Sequence, residues 1–112
     1  MATFAETLDK YKAEMDNLGI SYDEALLSAV AKGLGPVIYN DDSSRVSSSD
    51  PDELARVKSS FLMGKLGLTD GPDLDNAIQA VIDQLGSSNR NKYRAIFYYL
   101  LVVKLGKQSV YA

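Results

Sequence analysis

The chain has 112 residues, of which 12 are basic and 15 acidic, so its net charge is −3, and it contains neither cysteine nor histidine. This length fits a single domain over residues 1–112. The missing residue types exclude disulfides, thiolate nucleophiles, Ser-His triads and zinc sites built on Cys or His, and the acidic balance argues against a general nucleic-acid binder.

Five Leu-Gly pairs each end a stretch in which apolar residues recur at helical spacing. A glycine can adopt the left-handed backbone conformation that often ends an α-helix, because it has no Cβ atom to clash. We therefore predict an all-α fold, a compact multihelical domain of about five helices, whose ends lie at Leu18-Gly19, Leu34-Gly35, Leu66-Gly67, Leu85-Gly86 and Leu105-Gly106.

The first two helices begin at similar signals. Thr3 with Glu6 three residues later predicts a capping box, and Ser21 with Glu24 repeats the pattern. Pro36 ends the second helix because proline lacks an amide hydrogen. Residues 37–39 form a short apolar segment, and residues 40–50 are a polar, serine-rich run that predicts a solvated connecting loop.

The third and fourth helices begin at Asp-Pro and Asp-Gly-Pro signals. Asp50 precedes Pro51, and Asp70 precedes Gly71-Pro72, which predicts a side-chain cap and a proline in the first turn of each helix. Gly64 shares the apolar face of the third helix, where it costs helical stability. We interpret it as a place where another helix approaches closely.

The last helix is predicted over about residues 89–105, with a cap among residues 87–89. It is apolar on nearly every side from residue 95 to residue 103. A helix of this kind belongs in the middle of a fold. We therefore expect it to be the central element, with the other helices packed against it.

One polar stretch at the predicted start of this helix is a candidate binding site for an anion. Free backbone amides and the helix dipole attract an anion there, and arginine adds paired donors. Internal ion pairs of its cations with Asp70, Asp73 or Asp75 are the commoner cause of such a cluster, and we favour them over ligand binding. The candidate residues are Ser88, Asn89, Arg90, Asn91, Lys92 and Arg94.

Two acidic segments, Asp41-Asp42 and the aspartates between residues 70 and 75, could suggest calcium. Neither has the alternating ligands, the glycine and the distant glutamate of an EF-hand loop. We predict no metal site, no catalytic residue and no cofactor.

Several short motifs follow one another in a distinctive order along the chain. They are Gly33-Leu34-Gly35-Pro36, Ile38-Tyr39-Asn40, Phe61-Leu62, Lys65-Leu66-Gly67-Leu68, Asp70-Gly71-Pro72, Leu74-Asp75, Ser88-Asn89-Arg90-Asn91-Lys92 with Arg94, and Tyr98-Tyr99-Leu100-Leu101. With these motifs the chain resembles, from about the second helix onward, a bacterial family of short proteins, domain of unknown function 2853. The resemblance implies a multihelical fold and a bacterial cytoplasmic setting, and it implies no activity, cofactor or catalytic residue.

The leading interpretation is a non-catalytic interaction or regulatory module that binds an unknown protein partner. The alternative is a protein that binds a small anionic ligand, such as a phosphate compound, at residues 88–94, and a third is an enzyme that uses carboxylates and tyrosines. We expect a soluble, cytoplasmic monomer or weak homodimer that binds neither nucleic acid nor membrane. A membrane span is not expected because no apolar run approaches the ~20 residues that a span needs.

Overall fold

The computed structural model describes residues 3–40 and 42–111, and in this part of the chain every regular element is helical. A 3₁₀ helix, Gly35–Tyr39, follows α2, a π-helix, Val57–Lys65, follows α3, and a second 3₁₀ helix, Gln108–Tyr111, lies near the C-terminus. These described residues contain no β-strand, so the prediction of an all-α fold is confirmed. The α-helices are α1 Phe4–Asn17, α2 Glu24–Leu34, α3 Pro51–Arg56, α4 Pro72–Leu85 and α5 Arg94–Lys104.

Helix ends follow the Leu-Gly pattern, since the glycine of each of the five pairs has a positive φ between 67° and 97°. The predicted caps are less uniform. The capping box of Thr3 and Glu6 is present, and Asp50 caps α3 by accepting a hydrogen bond from the Asp52 amide. The predicted Ser21 cap is wrong, because the Asp23 carboxylate accepts from the first amides of α2 instead.

Helix α5 lies at the centre of the fold, as its all-round apolar surface predicts. Its residues 95–102 are all buried, and α1, α2 and α4 all contact it. The π-helix also reaches it, because the Phe61 ring stacks on the Tyr98 ring with their centroids 3.9 Å apart. An element buried on every side can only be stabilised by neighbours on every side.

The third predicted helix is only partly α-helical. After α3 the chain continues in π-helical turns, and the Leu66 amide donates to the Phe61 carbonyl five residues back. The sequence suggested that another helix packs closely against Gly64, and this prediction is wrong. A Cβ atom built there would meet the Ser59 carbonyl of the same π-helix at 3.4 Å, and no atom of another described element lies within 4 Å of it.

Helix α5 begins at Arg94, not near residue 89 as predicted. Lys92 and Tyr93 are held outside the helix because they pair with the serine-rich loop, where Tyr93 forms an isolated antiparallel bridge with Arg45. Tyr93 is the N-cap residue and makes no side-chain cap, so none of residues 87–89 caps α5.

The serine-rich loop, residues 40–50, is not simply a solvated connection. Ser44 and Val46 are buried, and Val46 belongs to the hydrophobic core. Among the described helices, none is long and apolar enough to cross a membrane.

Candidate functional site

A polar cleft of about 570 Å³ lies between the serine-rich loop and the turn that precedes α5. We call it the serine cleft. Residues 45–49 line it from the loop and residues 87–90 from the turn, together with Asp42 and Lys92. Four of the six candidate residues from the sequence line this cleft, namely Ser88, Asn89, Arg90 and Lys92.

Two backbone hydrogen bonds hold the two walls of the cleft together. The Val46 amide donates to the Lys92 carbonyl at 2.8 Å, and the Arg94 amide donates to the Ser44 carbonyl at 2.6 Å. These bonds join segments that are far apart in sequence. The cleft is therefore a tertiary feature of the fold rather than a property of either segment alone.

Asn89 organises the turn. Its side-chain amide donates to the Leu85 carbonyl at 3.0 Å, which satisfies a carbonyl at the end of α4, and its Oδ1 accepts from the Asn91 amide at 2.8 Å. Asn91 is exposed and does not line the cleft. Asn89 thus shapes the turn wall, while Asn91 is outside the site.

Lys92 places a buried positive charge in the cleft lining. The residue is only 2% exposed, and its Nζ donates to the Asn89 carbonyl at 2.6 Å and to the Ser87 carbonyl at 3.2 Å. Within residues 3–40 and 42–111, no carboxylate forms an ion pair with it. Burial lowers the pKa of this ammonium, because removal from water disfavours the charged form.

Arg94 does not line the cleft but braces the loop from behind. Its Nε donates to the Ser43 carbonyl at 2.8 Å, Nη2 donates to the Arg45 carbonyl at 3.3 Å, and Nη1 donates to the Tyr98 hydroxyl at 3.0 Å. Nη2 also forms a short ion pair with the Glu53 carboxylate, whose side chain is 11% exposed against 15% for that of Arg94.

Burial by itself would lower the pKa of Arg94. The hydrogen bond to Glu53 and the interaction with Tyr98 outweigh that effect, so the pKa lies above its ordinary value and the guanidinium stays charged. The partner that the sequence suggested for this arginine is therefore wrong. Glu53 was missed because an acid in the first turn of a helix also suits the helix dipole, and nothing local marks a partner 41 residues away.

Of the three aspartates offered as partners, Asp70 and Asp75 pair with a different cation, and Asp73 has no ion pair with a described residue. Lys58 of the π-helix lies 2.6 Å from the Asp70 carboxylate and 3.1 Å from that of Asp75. This pairing replaces both the predicted Asp70 cap and the predicted ion pairs with Arg90 or Arg94, and α4 begins instead behind Gly71 without a side-chain cap. In the described ranges no group of three or more acidic side chains could hold a metal ion, and Asp41 lies outside those ranges.

The charges along the serine cleft are mostly positive. Arg45, Arg90 and Lys92 line it, against the single described carboxylate of Asp42. The Arg45 guanidinium also lies over the Tyr93 ring, 5.6 Å from its centroid. Arg90 is exposed and has no ion pair or hydrogen bond to any residue that the structure describes. In a protein of net charge −3, this lining favours an anion.

Comparison with known proteins gives a family but no activity. The family model described as "Protein of unknown function (DUF2853)" matches residues 10–109, which is most of the chain. No curated protein matches the sequence.

Proposed function

This chain belongs to the DUF2853 family, whose description names no activity, and from its geometry we propose that it binds a small anionic ligand in the serine cleft without transforming it. The residues that carry the proposed site come from the turn wall and from Lys92 next to it. Lys92 and Arg90 supply charge, and Asn89 holds the turn that carries them.

The buried ammonium of Lys92 is the observation that carries the proposal. Burying a charge is expensive unless an opposite charge or a metal compensates it. In the described part of the chain Lys92 has two carbonyl partners and no carboxylate. An anion bound in the cleft would supply the missing negative charge and so offset the cost of burying the Lys92 ammonium.

Arg90 supports the same proposal from the exposed side of the turn. Its guanidinium carries five donors in a planar fork that suits phosphate and carboxylate oxygens. The side chain is not used by the described part of the fold. It is therefore available to a ligand, whereas Arg94, four residues later, is committed to Glu53.

Binding suits this cleft better than catalysis does. Asp42 is the only carboxylate in its described lining, and the chain has no histidine or cysteine to act as a base or nucleophile. The protein-interaction interpretation has less support, because among residues 3–40 and 42–111 the large exposed apolar side chains are divided among four different elements. They are Tyr39, Met63, Val103 and Val110.

The proposal is tested by titrating the protein with inorganic phosphate at constant ionic strength, following melting temperature and binding heat. We expect saturable binding, with a rise in melting temperature, because a ligand that binds only the native state stabilises it by mass action. Arg90→Ala should weaken the affinity by about tenfold, equivalent to about 1.4 kcal/mol, and Lys92→Met should abolish detectable binding.

Lys104→Ala is the matched control, because it removes one positive charge from the opposite end of α5. It should leave the phosphate affinity unchanged. Lys92→Met also removes two hydrogen bonds of the turn, so Arg90→Ala is the decisive variant. If phosphate does not bind saturably, or if Arg90→Ala behaves like Lys104→Ala, the proposal is wrong.

A further inference from the structure

We infer that the ligand of the serine cleft is a phosphorylated polyol, a compound of the sugar-phosphate class, rather than a nucleotide or an apolar acid. This inference rests on the proposed function, because it names the chemistry of the molecule that the cleft would take. Its three supports are the size of the cleft, the hydroxyls of its walls and the residue types missing from its lining.

The cleft has room for more than an inorganic anion. Its volume of about 570 Å³ falls in the range of roughly 300–1,000 Å³ that is usual for small organic ligands. An anionic group held by Lys92 and Arg90 would leave most of this space to the rest of the ligand. The ligand therefore has a body as well as a charged group.

The walls that would meet this body are rich in hydroxyl groups. Residues 47–49 and residues 87 and 88 are all serines, and Val46 is the one apolar residue in the described lining. None of these five hydroxyls makes a hydrogen bond to another described residue. Each is thus free to donate one hydrogen bond and to accept others.

A polar wall of this kind selects against an apolar ligand body. Covering the serines with alkyl groups would leave their hydroxyls without partners, which costs binding free energy. A body that carries hydroxyl groups of its own can both donate to the serines and accept from them. The wall chemistry therefore matches a polyol.

A nucleobase lacks its usual recognition surface in the cleft. No aromatic side chain belongs to the lining that the structure describes, although proteins commonly bind bases by stacking them on aromatic rings. The ring nearest to this wall in sequence, that of Tyr93, is already occupied. It packs against the Tyr11 ring at 5.3 Å and lies under Lys10 and Arg45.

The charge of the cleft favours a phosphomonoester over a carboxylate. In the described lining, Arg90 and Lys92 are two cations without a described carboxylate partner, and a phosphomonoester carries nearly two negative charges at neutral pH. A sugar carboxylate would offer the same hydroxyls with half of the charge. We therefore expect phosphate and polyol to act together.

The experiment compares four probes by calorimetric titration at constant ionic strength. They are ribose 5-phosphate, butyl phosphate with an apolar body, gluconate with hydroxyls and one charge, and adenosine monophosphate with an added base. We expect ribose 5-phosphate to bind at least tenfold more tightly than butyl phosphate or gluconate. Adenosine monophosphate should bind no more tightly than ribose 5-phosphate.

A serine variant with a matched control sharpens the comparison. Ser48→Ala should weaken ribose 5-phosphate several-fold and leave butyl phosphate unchanged, whereas Ser60→Ala on the exposed side of the π-helix should change neither. Equal affinities for ribose 5-phosphate and butyl phosphate, or a clear preference for adenosine monophosphate or gluconate, would overturn the inference and leave anion binding intact. If none of the anions binds, both this inference and the proposed function are wrong.

Discussion

The interior around α5 and the corner that holds the serine cleft are built by opposite means. In the interior, eight consecutive residues, 95–102, are buried on a single helix and belong to one hydrophobic core with its neighbours. Among their side chains, only the hydroxyls of Tyr98 and Tyr99 at its edge accept hydrogen bonds, from Arg94 and from the Asp23 amide. In the corner, two segments distant in sequence are joined by hydrogen bonds, and three cations lie within five positions, 90–94. The interior therefore needs only apolar residues at the right positions. The corner needs specific hydrogen bonds between particular donors and acceptors.

The three cations of the corner show how much this matters. Arg94 is partly buried and paired with Glu53, Lys92 is buried and bonded only to carbonyls, and Arg90 is exposed and has no partner in the described part of the chain. These three cations therefore differ in what they contact: Arg94 contacts a carboxylate and the loop, Lys92 contacts two carbonyls, and Arg90 contacts no described residue. Their sequence spacing alone does not distinguish them.

The largest effect on stability is expected when Arg94 is replaced by alanine. The change removes the less exposed of the two arginines paired with the nearly buried Glu53 carboxylate, leaving the exposed Arg56 at 3.1 Å, and it removes the donors to the loop carbonyls. Removing one partner of a buried ion pair typically costs about 3–5 kcal/mol, and because Arg56 remains we expect the lower end of that range. Urea unfolding monitored by circular dichroism measures the loss, and anion binding should fall with it because the loop wall is no longer braced.

Arg90→Ala is the control for this variant, four residues away. It should change the free energy of unfolding by no more than about 0.5 kcal/mol, as exposed surface substitutions usually do. Comparable destabilisation by the two substitutions would show that the division of roles between the arginines is wrong.

A second substitution, Leu101→Ala, tests the interior. Leu101 is fully buried in α5, so its truncation should cost at least about 2 kcal/mol through lost transfer free energy and a residual cavity. Well below its melting temperature, this variant should bind phosphate as tightly as the parent protein does. A stability loss accompanied by weaker binding would mean that the interior and the corner are not separate, as the comparison assumes.

The smallest effect concerns one polar group inside the interior. The Tyr11 hydroxyl is buried and has no hydrogen-bond partner in the described structure. Tyr11→Phe should therefore raise the free energy of unfolding at pH 7, by about 1 kcal/mol, because it removes an unsatisfied polar atom. Urea midpoints of the two proteins give the difference, and a destabilised variant would show that the hydroxyl has a partner after all.

The same hydroxyl makes stability depend on alkaline pH. Burial, with the nearby Tyr93 and Tyr39, raises the pKa of Tyr11 to about 12, against 10 in the unfolded chain. The Tyr11 phenol therefore stays protonated to a higher pH in the folded state than in the unfolded state. The stability that comes from this difference is complete below pH 10 and is lost as the pH rises towards 12. Urea unfolding at pH 7, 10 and 11 checks this: the free energy of unfolding should fall less steeply with pH in Tyr11→Phe than in the parent protein.

The sequence was sufficient to predict the fold class and the centre of the molecule. Leu-Gly pairs signal helix ends through a backbone property of glycine, and a helix without a polar face has to be enclosed. Both signals are local. The start of α5 could not be found in this way, because Lys92 and Tyr93 leave the helix to pair with a loop that lies far away in sequence.

Part of one wall of the cleft was also visible in the sequence. Residues 88–92 and Arg94 were the candidate because of their polar and cationic side chains, and four of these six residues line the cleft. The serine-rich wall and the partner Glu53 could not be predicted, since neither carries a local mark of its neighbour. Which cation is buried and which is free depends on tertiary contacts that spacing does not encode.

The brace formed by Arg94 also has a consequence for the order in which the molecule assembles. Its side chain bonds to carbonyls 49 and 51 positions earlier in the chain, and closing a loop of that length costs chain entropy that short-range helix formation does not. We expect the helices between these points to form and dock first, and the corner to close late. The ligand site would then exist only in molecules that have finished folding, so a nascent or damaged chain would not compete for the ligand.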